Sequence, residues 1–388
     1  MCTYALKEVV SYYRNRKGQV YCAMLDASKA FDGVIYEKLF ELLINRGLPM
    51  PMLRLLLYQY THQLVRTTWQ GESSDIFSTV NGVRQGGVLS PVLFTVYIDV
   101  LLQRLKDKGL GCMVGQTYFG VLCYADDVTL LSPTRNGLQQ MLEVCEKFGE
   151  QHNIKYNPKK TVCMCFGPNS NAVTNVTLYG KPLSWSTHSK HLGNIIRADL
   201  SEHDDVQRKK FDFIGRTNSL VANFKSVPKT VCSTVFTSQC CHFYGMETWN
   251  LSDRYIGTFY VTWRKAVRKI WNLPNTARSA MLPFLVQGEP VHITLNKRVQ
   301  GLYRAIKNSE NAPLQYLLQT SIDSLPSGIA GSNNTYSSSV SDFHAADPSM
   351  QDRAAMVKEI TRSLENELYI DNFSKDELLQ LKDFIATF

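Results

Sequence analysis

The apolar residues of the first 200 positions change period several times, and each change marks an element. Gln19 to Ala27 is a mostly apolar run between Gly18 and Asp32-Gly33, which predicts a buried strand. Ile35 to Arg46 and Pro49 to Tyr60 space Leu, Phe and Ile at helical intervals, so the chain opens strand, helix, helix. Gln63 to Trp69 and Ile76 to Val80 predict short strands. Leu89 to Lys106 predicts a long helix entered through Ser90-Pro91, since proline suits a first turn whose amides lack partners anyway. Tyr118 to Tyr124 and Val128 to Leu131 are β-prone on either side of Asp126-Asp127, which supply the turn of a hairpin. A helix over Gly137 to His152 and strands over Thr161 to Phe166, Thr174 to Leu178 and His191 to Arg197 complete a mixed layer.

From Ser201 the strand signal stops. Helices are predicted over Glu202 to Phe224, Lys229 to Phe243, Tyr255 to Trp271, Ala277 to Val286 and Pro290 to Lys307. Thr320 to Met350 is rich in Ser, Gly, Asn and Ala, a composition that buries too little surface to offset ordering entropy. The stretch after it is acidic and weakly amphipathic. The pattern is that of an α+β chain in four parts: a mixed domain over 1–200, a helical domain over 201–310, a disordered linker over 311–350 and an acidic helical tail over 351–388.

Charge sharpens this division. Residues 206–309 hold 16 Lys and Arg against 4 Asp and Glu, residues 1–205 hold 21 against 18, and residues 310–388 hold 5 against 12. A basic helical domain is the electrostatic footprint of a polyanion partner, although solvated helix surfaces give the same count. No stretch approaches the roughly 18 apolar residues of a membrane span, and the start lacks a basic-then-apolar leader, so neither a membrane nor secretion is expected. The ten cysteines are scattered, without a CxxC pair, as reduced thiols of an intracellular protein in nucleus or cytoplasm would be. Cys240, Cys241 and His242 have no partner pair at zinc-ligand spacing, and buried thiols are the expected reading.

The chemistry centres on Asp26, at the end of the first strand, and Asp126 and Asp127, in the hairpin turn. Carboxylates brought together repel unless a cation neutralises them, so a pair between buried strands points to a divalent metal. An Asp-Asp turn alone is most often an ordinary solvated turn. Its surroundings decide.

Leu25-Asp26-Ala27-Ser28-Lys29-Ala30-Phe31-Asp32 resembles the first catalytic motif of non-LTR (LINE-like) retrotransposon reverse transcriptases. Arg84-Gln85-Gly86-Gly87-Val88-Leu89-Ser90-Pro91 resembles the second, Tyr124-Ala125-Asp126-Asp127 the third and Asn157-Pro158-Lys159-Lys160-Thr161 the fourth. His191-Leu192-Gly193 resembles the primer-grip strand, and the motifs follow the family's order across residues 20 to 197. Telomerase-like and group II intron maturase readings fit the first two motifs less well.

The resemblance implies a palm followed by a helical thumb, with RNA-directed DNA polymerisation by two Mg²⁺ ions, or Mn²⁺ in their place. Asp26, Asp126 and Asp127 would hold the metals, and Lys160 would protonate or hold the pyrophosphate unless it is merely a solvated loop lysine. Ala27, Phe31, Gln85 and Gly86 would line the deoxynucleoside triphosphate. There Phe31 excludes a 2′-hydroxyl, the alternative being a core aromatic. Arg84, Leu192 and Gly193 would touch the strands, Arg84 being equally readable as a surface arginine. Arg264, Lys265, Arg268 and Lys269 recur at three- and four-residue intervals, so they share a helix face that could follow the backbone of an RNA–DNA hybrid formed by RNA template and DNA primer. Trp249 and Trp271 read better as core.

Only 25 residues precede Asp26, where the family carries fingers that close over the triphosphate. The chain thus reads as a fragment of a longer element. Two readings stay open, an active polymerase and an inactive remnant that still binds nucleic acid.

Overall fold

The computed structural model describes residues 1–168 and 175–323. In chain order the elements that frame the site are α1 (Cys2–Asn15), β1 (Val20–Leu25), α2 (Tyr36–Asn45), α3 (Met50–Thr61), α4 (Ser90–Asp107), β2 (Val121–Tyr124), β3 (Asp127–Ser132), α5 (Arg135–His152), β4 (Val162–Phe166) and β5 (Ser184–Trp185). After them come β6 (His188–His191), β7 (Asn194–Arg197), α6 (His203–Asn223), α7 (Lys229–Val235), α8 (Ile256–Trp271), α9 (Leu282–Leu285), α10 (Val291–Lys307) and α11 (Ala312–Asp323). The five strands β1 to β5 form one sheet in the order β5-β4-β1-β3-β2. β1 runs antiparallel to β3 and β4, and β3 antiparallel to β2; β5 joins the edge in parallel.

The near-continuous apolar character of β1 follows from its central place, because both of its faces are buried. Ala23 and Leu25 face a core shared with Leu39, Phe94, Leu101, Leu142 and Phe148 of α2, α4 and α5. Val20 and Cys22 face a second core, closed by Leu6, Val9 and Val10 of α1 and Leu317 of α11. A third core fills the helical part around Phe213, Phe236, Trp249, Phe259, Trp263 and Val267. Strands end at Arg197 and helices begin at His203, the change of architecture expected near residue 200.

Several elements differ from expectation. α1 is absent from the predicted set. The single strand expected over His191 to Arg197 is one arm and the turn of a hairpin, β6–β7, because Leu192 (φ 46°) and Gly193 (φ 83°) both take the left-handed conformation that a two-residue turn requires. The helix expected over Lys229 to Phe243 stops at Val235 and passes into a π turn over Phe236–Cys240, which buries Phe236 and Cys240. The linker expected from residue 311 is helical over Ala312–Asp323, since Leu317 has a sheet face to cover. The strand expected from Thr174 is short, Thr177–Leu178, and Thr174 itself, the rest of the linker and the acidic tail lie outside the described residues.

Candidate active site

Strand register brings the acids together. Leu25 pairs with Val128, and both face the helix-covered core; one residue further along the same register sets Asp26 opposite Asp127, on the other face. Tyr124 pairs with Asp127 and leaves Ala125-Asp126 as a two-residue turn. Ala125 has φ 53°, a conformation costing a non-glycine residue about 1 kcal/mol. Partial desolvation, then the charges of Asp126 and Asp26, raise the Asp127 carboxyl above the ordinary carboxylate range.

Asp26 is anchored through its backbone. Its amide faces the Thr161 hydroxyl at 3.3 Å and its carbonyl accepts from the Asn157 amide at 2.8 Å, while Ala27 and Ser28 pair with Tyr156 and Lys155. The turn so attached carries Lys160, whose Nζ lies 3.9 Å from Asp26 Oδ2. With side-chain exposures of 69% and 38%, the pair is too solvated to contribute more than about 1 kcal/mol to folding. Among the described residues no three His, Cys, Asp or Glu side chains form a ready-made cage for an ion.

Beside this turn, Phe31 stacks on Phe94 with centroids 4.7 Å apart and is half-buried, so the ring does serve the core. The Val83 amide donates to the Phe31 carbonyl at 2.8 Å, and Gln85 Nε2 to Asp32 Oδ1 at 3.4 Å. These bonds bring exposed Arg84, Gln85 and Gly86 alongside Phe31.

The Leu192–Gly193 turn docks on the helical part. Arg208 Nη2 donates to the Gly193 carbonyl at 2.6 Å, and the exposed Tyr244 hydroxyl lies 3.5 Å from the Leu192 carbonyl. α8 buries Phe259, Trp263, Ala266, Val267 and Ile270, which turns its four cations outward. Arg268 is nonetheless taken by the fold. Its guanidinium donates to the Ala277 carbonyl at 2.7 Å and the Ser279 hydroxyl at 2.9 Å, which corrects its expected place among backbone-following cations. Lys269 reaches Asn218 of α6 at 2.6 Å, while Lys265 is exposed and Arg264 half-exposed. Trp249 is core at 1% exposed and Trp271 is half-buried; Cys240 is buried and Cys241 half-buried.

Four buried or half-buried charges escaped sequence reasoning: Lys7, Glu202, Asp205 and Lys209. The i,i+4 spacing of Asp205 and Lys209 was a visible signal, but the same spacing marks countless surface pairs.

A largely antiparallel sheet with acids at one strand end and in the facing hairpin, followed by a basic helical region, defines a protein with the palm-and-thumb fold. The chain belongs to the reverse transcriptase (RNA-dependent DNA polymerase) family, whose pattern it matches over residues 3–218. It is 31% identical over 166 residues to a retrovirus-related Pol polyprotein from the type-1 retrotransposable element R2 of Nasonia vitripennis, covering 43% of this chain and 16% of that protein. It is 23% identical over 265 residues to the RNA-directed DNA polymerase from the mobile element jockey of Drosophila melanogaster, covering 65% of this chain and 28% of that protein. The matched segments therefore span well under a third of these relatives' own length. A looser likeness, TM-score 0.43 at 12% identity, joins it to apo telomerase from Candida tropicalis over 98% of this chain and 56% of that one. No described helix is long and apolar enough to cross a membrane.

Proposed function

We propose that this chain is the RNA-directed DNA polymerase domain of a non-LTR retrotransposon protein, joining a deoxynucleoside triphosphate to a primer 3′-hydroxyl on an RNA template. One observation carries the reading: Asp26, Asp126 and Asp127 meet at the end of the sheet, just past the core pair Leu25–Val128, where Asp127 is exposed and Asp26 and Asp126 are half-buried. The donor set fits magnesium. All its donors are hard carboxylate oxygens, and partial desolvation together with the charges of Asp126 and Asp26 raises the Asp127 carboxyl, an environment that a cation would relieve. Mg²⁺ binds through one or two carboxylates together with substrate phosphates and water, so a site without a ready-made cage suits it. Two such ions would activate the primer hydroxyl and neutralise charge on the triphosphate and its leaving pyrophosphate.

The chain's own groups supply the rest. Asp26, Asp126 and Asp127 would hold the ions. Lys160, within reach of Asp26, is placed to give a proton to the departing pyrophosphate. Phe31, held flat by Phe94, closes the space where a ribonucleotide would carry its 2′-hydroxyl, with Ala27, Gln85 and Gly86 beside it. Leu192 and Gly193 face the primer, and Arg84, Arg264, Lys265 and Lys269 serve backbone phosphates of the RNA–DNA hybrid.

Primer extension on an RNA template with Mg²⁺ and deoxynucleotides tests the proposal, comparing the chain with Asp126→Asn. The expected result is product that falls by several orders of magnitude in the variant. Equal yields, or none from the unaltered chain, would overturn it; hybrid binding without extension would mark an inactive remnant.

A further inference from the structure

The densest buried polar cluster outside the acidic hairpin lies where α6 meets the β6–β7 turn. Asp205 is 1% exposed, and its carboxylate accepts from the Ile195 amide at 2.9 Å, Arg208 Nη2 at 2.8 Å, Trp249 Nε1 at 2.8 Å and Lys209 Nζ at 3.2 Å. Lys209 is 6% exposed and spends its other two donors on Asn194 Oδ1 and the Tyr244 carbonyl, both at 2.7 Å. All three protons of this ammonium are thus satisfied. Burial by itself raises the Asp205 carboxyl, but Lys209, the Ile195 amide, Trp249 and Arg208 outweigh it and hold the group below the usual range.

The bonds converge on one place. Arg208 holds Gly193, Asp205 holds Ile195, and Lys209 holds both Asn194 and Tyr244. The Tyr244 ring, 66% exposed, lies so close over Gly193 that a Cβ there would stand 3.1 Å from it. This edge is next to the acidic hairpin. Thr3 Oγ1 and His191 Nδ1 are 3.0 Å apart, and the neighbouring Cys2 thiol reaches the Cys123 carbonyl at 3.6 Å, so one turn of α1 joins the strand before Tyr124 to the strand before Leu192. A buried ion pair is a poor source of stability, because apolar side chains of similar volume usually serve as well. What it supplies here is a single geometry for an exposed turn and an exposed ring.

We infer that Lys209 and Asp205 are positioning residues that hold the Leu192–Gly193 turn and the Tyr244 ring as one rigid edge, against which the primer strand seats, with Tyr244 offering a base or sugar a stacking surface. The primer as occupant rests on the polymerase reading above; the rigid edge rests on the geometry alone. Stacking of one base on a rigid aromatic ring contributes roughly five- to a hundredfold in affinity.

Hydrogen exchange and primer extension on Lys209→Met and Asp205→Asn, with the exposed Lys225→Met as control, test this. In Lys209→Met, exchange across 188–197 is expected to quicken while 121–132 stays as in the unaltered chain. Extension at saturating triphosphate and affinity for the hybrid should each fall roughly ten- to a hundredfold, with the triphosphate KM within about twofold. Uniform loosening of every peptide would make the pair a general stabiliser and overturn the inference, as would local loosening with unchanged hybrid affinity. If the unaltered chain extends nothing, the polymerase reading fails by itself, and hybrid affinity of Lys209→Met against Lys225→Met still decides this one.

Discussion

Lys7→Met should destabilise this protein far more than an exposed lysine would. Lys7 Nζ donates to both oxygens of Glu202, at 2.8 and 3.0 Å, and to the Thr248 carbonyl at 3.0 Å. Glu202 is 3% exposed and Lys7 14%, and the Asn250 amide also donates to that carboxylate, at 3.0 Å. Breaking a buried pair by removing one partner costs about 3–5 kcal/mol, because the remaining charge is left uncompensated. The Asn250 amide keeps one oxygen satisfied, so the lower end, about 3 kcal/mol, is expected. At about 2–4 °C per kcal/mol for a unit of this size or a little smaller, that is a fall in Tm of roughly 6–12 °C. Lys7→Met with Glu202→Met removes the orphaned charge as well and should recover most of the loss. Denaturant and thermal unfolding of the four chains give the cycle. A single variant within 1 kcal/mol of the unaltered chain, or a double variant whose losses simply add, would show that the contact between α1 and the start of α6 is not the buried pair described.

Two further changes probe the same framework. Gly245→Ala should loosen the β6–β7 turn, since Gly245 has φ 79° and a Cβ would stand 2.0 Å from Asn194 Oδ1, the acceptor for Lys209; faster exchange across 188–197 checks it, and unchanged exchange refutes it. Burial holds both His152 and His191 down to about 4, so the folded chain keeps them neutral where the unfolded chain, near 6.5, takes up protons. Stability is then full above about pH 6.5 and falls as pH drops toward 4, by about 2 kcal/mol for each histidine at pH 5. Unfolding free energies at pH 7 and pH 5 measure the slope, which His152→Gln should reduce; an unaltered slope refutes the assignment.

Much of the sheet and the acidic site was legible in the chain because local signals and tertiary demand agree there. β1 reads as a buried run since both faces of a central strand are covered, and the hairpin reads as a reversal between paired strands, although its turn residues are Ala125-Asp126, one place earlier than expected, with Asp127 already in β3. α1 was not legible although Ala5, Leu6, Val9 and Val10 show helical spacing, because the stripe is short and neither a capping side chain nor an acidic first turn marks its start. The α8 cations show the opposite error. Their spacing set an outward face correctly, but nothing local revealed that Arg268 would meet the carbonyl of Ala277.

By itself, the order of residues set which groups are offered for chemistry: three carboxylates on two elements, a glutamine-glycine loop and a basic helical half, all of them properties of side-chain type and spacing. Only the tertiary structure decided which charges would be withdrawn from solvent. Lys7 with Glu202 and Asp205 with Lys209 look like ordinary surface residues along the chain, and become buried partners only when α1, α6 and the β6–β7 turn close on one another. The physical reason is that burial and pairing depend on elements far apart in sequence, whereas hydrophobic period and turn chemistry are set within a few residues.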